Sequence, residues 1–216
     1  MAEIMTFPEV PVRECSAFPI TIEDDASPVV RLIGRTLRDS VRTGHAQEVL
    51  GRTVGTVAVR SHDTPQAATI SFGGKTIAVT GGVVIEPGAT VVVDLRARFA
   101  AVGEPDGDVV LADGILRALA PPLPHWREAA RHFWAVTREI PGIPEVLIVE
   151  AASRERARFG DGATEYLMAG PSDLLAGVFS GADDFAASLG AGLRVKGTLS
   201  QLSVMTAASW RVRFDV

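Results

Sequence analysis

The pattern of apolar and polar positions is most ordered between residues 161 and 210. Residues 163–169 alternate along the chain, which predicts a strand with Tyr166 and Met168 on one face. Apolar residues then recur every three to four positions in two short runs that glycines interrupt, so two short helices are expected next. A very short strand from Leu193 to Lys196 and a final apolar helix complete this series.

Polar residues and glycines indicate where these helices begin and end. Ser172 or Asp173 can cap the first helix and Asp183 or Asp184 the second, because their side-chain oxygens accept hydrogen bonds from free backbone amides. Gly181 is expected to end the first helix, since glycine readily adopts the left-handed conformation found after a helix C-terminus.

The first half of the chain reads as a helix followed by strands. Residues 29–50 carry apolar side chains at helical spacing and a row of arginines on the opposite face, with an interruption expected at Gly44. Residues 54–94 alternate as strands do, and Gly73-Gly74 is a strong hairpin signal. We therefore expect an opening helix and an antiparallel meander.

Residues 96–144 are longer than a single small domain of this kind needs, and two interpretations stay open. They form an insertion in one domain, or the chain holds two diverged copies of one unit. In the second interpretation, residues 108–119 correspond to residues 193–202, and each segment leads to a tryptophan, Trp126 or Trp210.

The same interpretation predicts that the second copy repeats the elements of the first. Residues 125–139 would be its opening helix. Residues 146–149, 154–159 and 163–169 would form its meander, with Gly160-Asp161-Gly162 as a turn like Gly73-Gly74.

These patterns predict an α+β fold with a mixed, mostly antiparallel sheet that helices cover on one face. The predicted divisions are an N-terminal extension at 1–27, in which Phe7, Phe18 and Ile20 contact the body, a first half at 28–120 and a second half at 121–216. Residues 28–216 forming one compact unit is the alternative.

The C-terminal half resembles the type-two sterol carrier protein family. The resemblance rests on a short strand after a glycine-rich helix end and on a glycine before the last helix, which correspond here to Gly190, Gly192, Leu193, Val195 and Gly197. It implies a sterol carrier protein-like fold with a hydrophobic tunnel between the sheet and the C-terminal helices. Sterols, fatty acyl chains or other lipids are the ligands that the resemblance implies.

Composition narrows the classes of partner. The chain has 216 residues and a formal net charge of −5, which argues against a nucleic-acid binder and against simple electrostatic docking on anionic membranes. No apolar run approaches the roughly 18 residues of a membrane helix, so stable membrane insertion is not expected. The single Cys15 allows no internal disulfide, and residues 1–11 do not resemble a signal peptide, so a cytoplasmic location is expected.

The residues that could carry chemistry do not form a recognisable catalytic or metal-binding motif. His125 and His132 lie seven positions apart on a predicted helix, whereas metal-binding pairs on helices usually lie four apart. The two histidines are better explained as polar residues of an amphipathic helix than as general bases. We therefore predict no catalytic residue, no metal and no cofactor, and an enzyme that uses either histidine is the weakest hypothesis.

A set of apolar residues on the short C-terminal helices is the best functional lead. Short helices separated by glycines fill a core less densely than long ones, so they favour a cavity. The predicted lining of this hydrophobic pocket is Leu174, Leu175, Val178, Phe179, Phe185, Leu189, Leu202, Met205 and Trp210.

The first functional hypothesis is thus a soluble, non-enzymatic carrier of a hydrophobic small molecule. The second is a structural or oligomerisation module of the same fold with a filled cavity, accessory to an enzyme system. Trp126, Trp134 and Pro121-Pro122-Leu123-Pro124 would then form a partner surface. A homodimer is compatible with both hypotheses. A carrier needs an open cavity, a module needs a filled one, and an enzyme needs a polar group aimed into it.

Overall fold

A computed structural model describes residues 19–74, 76–83 and 86–215. The predicted α+β class is confirmed, with 38% of the chain helical and 27% in strands. Phe7, Cys15 and Phe18 lie outside the described residues. The elements in chain order are β1 (Ile20–Ile22), α1 (Pro28–Arg42), α2 (Gln47–Arg52), β2 (Val54–Ser61), β3 (Ala67–Gly73), β4 (Ile77–Gly81), β5 (Ala89–Asp94), β6 (Ala100–Ala101), β7 (Asp106–Gly107), α3 (Val109–Ala118), α4 (Trp126–Thr137), β8 (Val146–Ala151), β9 (Arg156–Phe159), β10 (Glu165–Gly170), α5 (Ser172–Ser180), α6 (Phe185–Gly190), β11 (Arg194–Lys196) and α7 (Leu199–Phe214).

The first half builds a mixed sheet with the order β1-β4-β3-β2-β5-β6, and β7 also pairs with β5. Strands β2, β3 and β4 form the expected antiparallel meander. Strand β5 returns on the other side of β2 and runs parallel to it, with Val57 opposite Ala89. Part of the predicted N-terminal extension belongs to this sheet, because Ile20 in β1 lies opposite Ile77 in β4.

The second half builds a four-stranded sheet with the order β9-β8-β10-β11, so the predicted second meander is wrong. Strand β10 pairs with β8 in parallel rather than with β9. The residues of β8 explain this order, because Val146 to Val149 are all buried, as expected for a central strand that is covered on both sides. Gly160 to Gly162 therefore link two strands that are not neighbours, and the hairpin turn lies at residues 152–155.

Both halves share one strand arrangement, although the sequence correspondence proposed for them is wrong. In each, a central parallel pair, β2 with β5 or β8 with β10, is flanked by antiparallel partners. Residues 109–118 are helical, whereas the segment with which they were aligned begins as strand β11. Trp126 is buried at the start of α4 and Trp210 is exposed on α7, so the two tryptophans are not equivalent.

Each half has its own apolar cluster between its sheet and its helices. The first cluster joins α1, α2 and α3 to the first sheet, and the second joins α4, α5, α6 and α7 to the second sheet. Helices α1 and α7 contact each other, so the helical layers of the two halves meet.

The helix termini follow the predicted signals with one exception. Gly181 ends α5 in the left-handed conformation, and the Asp184 side chain caps α6 by accepting a hydrogen bond from Ala187 N. Neither Ser172 nor Asp173 caps α5, because the residue at the cap position is Pro171. The helix predicted over residues 29–50 is divided near Gly44, as expected, into α1 and α2.

Candidate functional site

A cavity of about 660 Å³ lies where the two halves meet, and it is larger than four other cavities in the described part of the chain. We call it the junction cleft. Its lining residues come from α1, the turn after β5, the connection between the halves, the start of α4 and the turn between α5 and α6. They are Arg35, Thr36, Asp39, Arg42, Thr43, Arg98, Phe99, Leu119 to Pro124, Glu128, Ser180 and Ala182.

The apolar wall of the junction cleft is the connection between the halves. Pro121, Pro122 and Pro124 have no backbone N–H, so this wall offers few hydrogen-bond donors to a bound molecule. Leu119 and Phe99 are buried and join the wall to the first apolar cluster. The result is an apolar surface that favours apolar parts of a ligand.

The opposite wall carries charged groups of α1. Asp39 accepts hydrogen bonds from Arg35 at 2.9 Å and from Arg42 at 2.8 Å, because these residues lie one helical turn apart. Arg35 also donates to the carbonyl oxygen of Ser180 in the second half. Arg35 is only 9% exposed, and among the described residues its Nε has no hydrogen-bond acceptor. Burial lowers the pKa of this guanidinium.

A second arginine crosses the junction from the turn after β5. Arg98 Nε donates to Asp183 Oδ1 at 2.6 Å, and this hydrogen bond raises the pKa of Arg98. Arg98 and Phe99 both have positive φ, 52° and 60°, a conformation that costs about 1–2 kcal/mol for each L-residue. Gly177 leaves room for the carboxylate, since a Cβ there would lie 1.8 Å from Asp183 Oδ2. Strained backbone at a ligand-sized cavity is typical of functional sites.

A third arginine joins the turn between α5 and α6 to the turn after β5. Arg213 is 4% exposed and donates to the carbonyl oxygens of Gly181, Ala182 and Leu95, at 3.0, 2.7 and 2.9 Å. Burial, and then the positive charge of Arg35, lower the pKa of Arg213 to about 10. Cations from α1, from the turn after β5 and from α7 thus converge on residues 180–183, and we call this group the arginine clasp (Arg35, Arg98 and Arg213).

The predicted hydrophobic pocket is mostly packed core. Leu175, Val178, Phe179, Phe185 and Met205 are buried in the second cluster, and Leu189 and Leu202 pack against it. The rings of Phe133 and Phe179 lie 5.2 Å apart between centroids. Leu174 is half-buried beside a polar groove, and Trp210 is 51% exposed and faces away from the core. The structure thus brings together seven of the nine residues, and their role in ligand binding stays a prediction.

Tyr166 is the unusual residue of this packed core. Its side chain is fully buried on β10, yet its hydroxyl has no hydrogen-bond partner among the described residues. Burial raises its pKa to about 12. The ring lies against Gly197, where a Cβ would come within 2.4 Å of Tyr166 Cδ2. An unpaired hydroxyl of this kind opposes folding by about 1–3 kcal/mol.

None of the histidines is among the lining residues of the junction cleft. His125 is exposed at the start of α4, where its Nδ1 accepts from Arg127 N, and His132 is exposed on the same helix. Within the described residues, no group of three or more His, Cys, Asp or Glu is placed to share a metal ion. None of the described helices has the length and apolar character needed to cross a membrane.

Comparisons with protein families, with curated proteins and with solved structures found no match to this chain. The resemblance to the sterol carrier protein family therefore stays a prediction.

The arginine clasp is what sequence reasoning missed. Arg35 belongs to the arginine row of α1, which the sequence presents as a solvent-exposed face, and Arg98 and Arg213 lie in no motif that indicates a buried role. One signal was present: Arg35, Asp39 and Arg42 are spaced as ion-pair partners on a helix. That spacing predicts mutual contacts, but it carries no information about the second half of the chain.

Proposed function

We propose that this protein is a non-enzymatic binder of a hydrophobic small molecule and that the molecule lies in the junction cleft. The observation that carries the proposal is a cavity of about 660 Å³ with an apolar proline-rich wall and a charged wall. Ligand sites commonly have volumes of 300–1,000 Å³, mostly apolar linings and a few polar groups that fix orientation. This is the carrier function expected from the sequence. The site proposed here is the junction cleft and not the C-terminal apolar core.

The paired charges of the junction cleft suit holding a molecule better than transforming it. Asp39 is shared by two arginines, and Arg98 is paired with Asp183. Groups engaged in this way orient a ligand, whereas a general base needs a free lone pair within reach of a reacting proton. The apolar wall would contribute about 25 cal/mol for each Å² of apolar ligand surface removed from water.

Native mass spectrometry of the freshly purified protein, beside denaturing extraction, tests the proposal. We expect a bound mass that is lost on denaturation, and we expect Ala120→Trp, which fills part of the cleft, to lose it. Ala207→Trp is the matched control, because Ala207 is an exposed alanine on α7 that lines no described cavity. If Ala120→Trp keeps the bound mass as fully as the control, the ligand lies elsewhere.

A thermal-shift panel of fatty acids, fatty alcohols and sterols tests the same function without relying on a co-purified molecule. A ligand at 100 times its Kd should stabilise the native protein by about 2.7 kcal/mol. No bound mass together with no stabilisation by any compound would overturn the proposal.

A structural or oligomerisation module is the second candidate, and the exposure of Trp210 favours it. A tryptophan that is 51% exposed is a common anchor at protein interfaces. The partner surface predicted around Trp126 is not formed by that residue, because Trp126 is buried. Light scattering of the wild type and of Trp210→Glu tests this candidate: a dimer that the substitution dissociates would support it, and a monomer in both would exclude self-association through α7.

A further inference from the structure

A second cavity, of about 410 Å³, lies at one end of the second sheet, away from the junction cleft. Its lining is rich in arginine and otherwise consists mainly of small residues. The lining residues are Glu150, Ala151, Ala152, Arg154, Arg156, Ala169, Gly170 and Arg194. We call it the sheet-end cavity.

The strand register explains why arginines surround this cavity. Glu150 on β8 pairs with Arg156 on β9 and with Ala169 on β10, and Ala169 pairs with Arg194 on β11. These four residues form one row across the sheet, with neighbouring strands about 4.8 Å apart. Glu150 and Ala169 lie between the two arginines of this row, and the small side chain of Ala169 leaves a depression between Glu150 and Arg194.

The charges at the sheet-end cavity are unbalanced. Arg156 Nε lies 3.3 Å from Glu150 Oε1, so this pair is neutralised. The guanidinium groups of Arg154 and Arg194 make no ion pair or hydrogen bond with any described residue. The cavity thus has an excess of two positive charges in a chain whose net charge is −5.

The position of the cavity in the fold also favours ligand binding. It lies at the carboxyl ends of the parallel strands β8 and β10, which finish at Ala151 and Gly170. The chain leaves β8 through a hairpin to β9 and leaves β10 into α5, so the two connections diverge from this point. Ligands of open α/β sheets commonly bind outside the carboxyl ends of the parallel strands.

We propose that the sheet-end cavity binds a phosphate-type oxyanion. Arginine presents a planar fork of donors that pairs in bidentate fashion with phosphate oxygens, and a tetrahedral anion has enough oxygens to accept in this way from both Arg154 and Arg194. A carboxylate has two oxygens and engages fewer of these groups. The oxyanion is either a free phosphate compound or the headgroup of an anionic lipid, since both present the same chemistry.

Titration with sodium pyrophosphate, followed by isothermal calorimetry at an ionic strength held constant with sodium chloride, tests the proposal. We expect saturable binding to the wild type and about tenfold weaker binding to Arg154→Gln and to Arg194→Gln, as expected for loss of one charge-assisted hydrogen bond. Arg131→Gln is the matched control, because Arg131 is exposed in the same half and lines no described cavity. Circular dichroism checks that all three variants are folded.

Vesicles of phosphatidylcholine with and without phosphatidic acid distinguish the two sources of the oxyanion. Co-sedimentation that requires phosphatidic acid and is lost in Arg194→Gln assigns the site to a lipid headgroup. Pyrophosphate binding without co-sedimentation assigns it to a free phosphate compound. Absence of both, or equal weakening by Arg131→Gln, would overturn the proposal and leave the proposed function of the junction cleft untouched.

Discussion

Replacing Tyr166 with phenylalanine should stabilise the protein, although most substitutions of buried residues destabilise. The hydroxyl is fully buried and has no partner in the described part of the chain, so it has lost its water without gaining a hydrogen bond. Such a group costs about 1–3 kcal/mol, and phenylalanine removes the cost while it keeps the ring. We expect the free energy of unfolding to rise by about 1 kcal/mol and the Tm by about 2–4 °C for a chain of this size.

Thr137→Val is the matched control for Tyr166→Phe. Thr137 is also fully buried, but its hydroxyl donates to Phe133 O at 2.7 Å, so its removal should destabilise by about 1 kcal/mol. Urea unfolding followed by far-ultraviolet circular dichroism measures both variants. A fall in stability of 1 kcal/mol or more for Tyr166→Phe would refute the reasoning, because it would show that the hydroxyl has a favourable partner.

The same residue predicts how stability depends on alkaline pH. Burial raises the pKa of Tyr166 from 10 to about 12, so between these values the unfolded chain loses this proton while the folded chain keeps it. The free energy of unfolding is therefore unaffected by this ionisation below pH 10 and falls as the pH rises from 10 toward 12. The wild type should lose more stability over this range than Tyr166→Phe. The absorbance of its single tyrosine at alkaline pH reports the ionisation directly.

Two further predictions concern a turn of the junction and a carboxylate of the second sheet. Gly181→Ala should destabilise by at least about 1 kcal/mol in urea unfolding, because φ is 75° and the added Cβ would lie 2.8 Å from Arg213 Cα. Gly190→Ala, with nothing within 4 Å of its Cβ, should change stability by less than about 0.5 kcal/mol, and equal effects would contradict this account. Backbone N–H groups of Thr164 and Ala163 donate hydrogen bonds that lower the pKa of Glu145. The ionised carboxylate therefore stabilises the folded state above pH 4.5, and this stabilisation is lost as the pH falls further. The Tm should therefore fall less steeply between pH 6 and pH 3 for Glu145→Gln than for the wild type. Parallel curves of Tm against pH would exclude a stabilising role for the Glu145 carboxylate.

Local signals were enough to predict most elements of the fold. Gly181 and Gly44 interrupt helices where the sequence places them, and the alternation around Tyr166 and Met168 gives a strand with both side chains buried. These features depend on backbone sterics and on side-chain periodicity within a few residues. They are for that reason readable from the chain alone.

Strand partners and the site depended on long-range contacts that no local pattern contains. The run from Val146 to Val149 indicates a buried strand. It does not show that β10 pairs with this strand in parallel, on the side opposite β9. The pairing of Arg98 with Asp183 joins residues 85 positions apart. The apolar residues near Met205 indicated that this region is buried, but periodicity cannot distinguish a packed core from a ligand cavity.

The arginine clasp also orders events during synthesis on the ribosome. The first half is complete once α3 is made, yet Arg213 follows Ala118 by about 95 residues, which take ~5–20 s to translate. During that interval the nascent first half presents Phe99 and Leu119 without the second half beside them. A molecule that binds the junction cleft as proposed would therefore meet Phe99 and Leu119 before the contacts of the clasp form. We expect protein translated in the presence of its ligand to be loaded more completely than purified protein mixed with the same ligand for an equal time, and equal loading would show that the closed junction admits ligand freely.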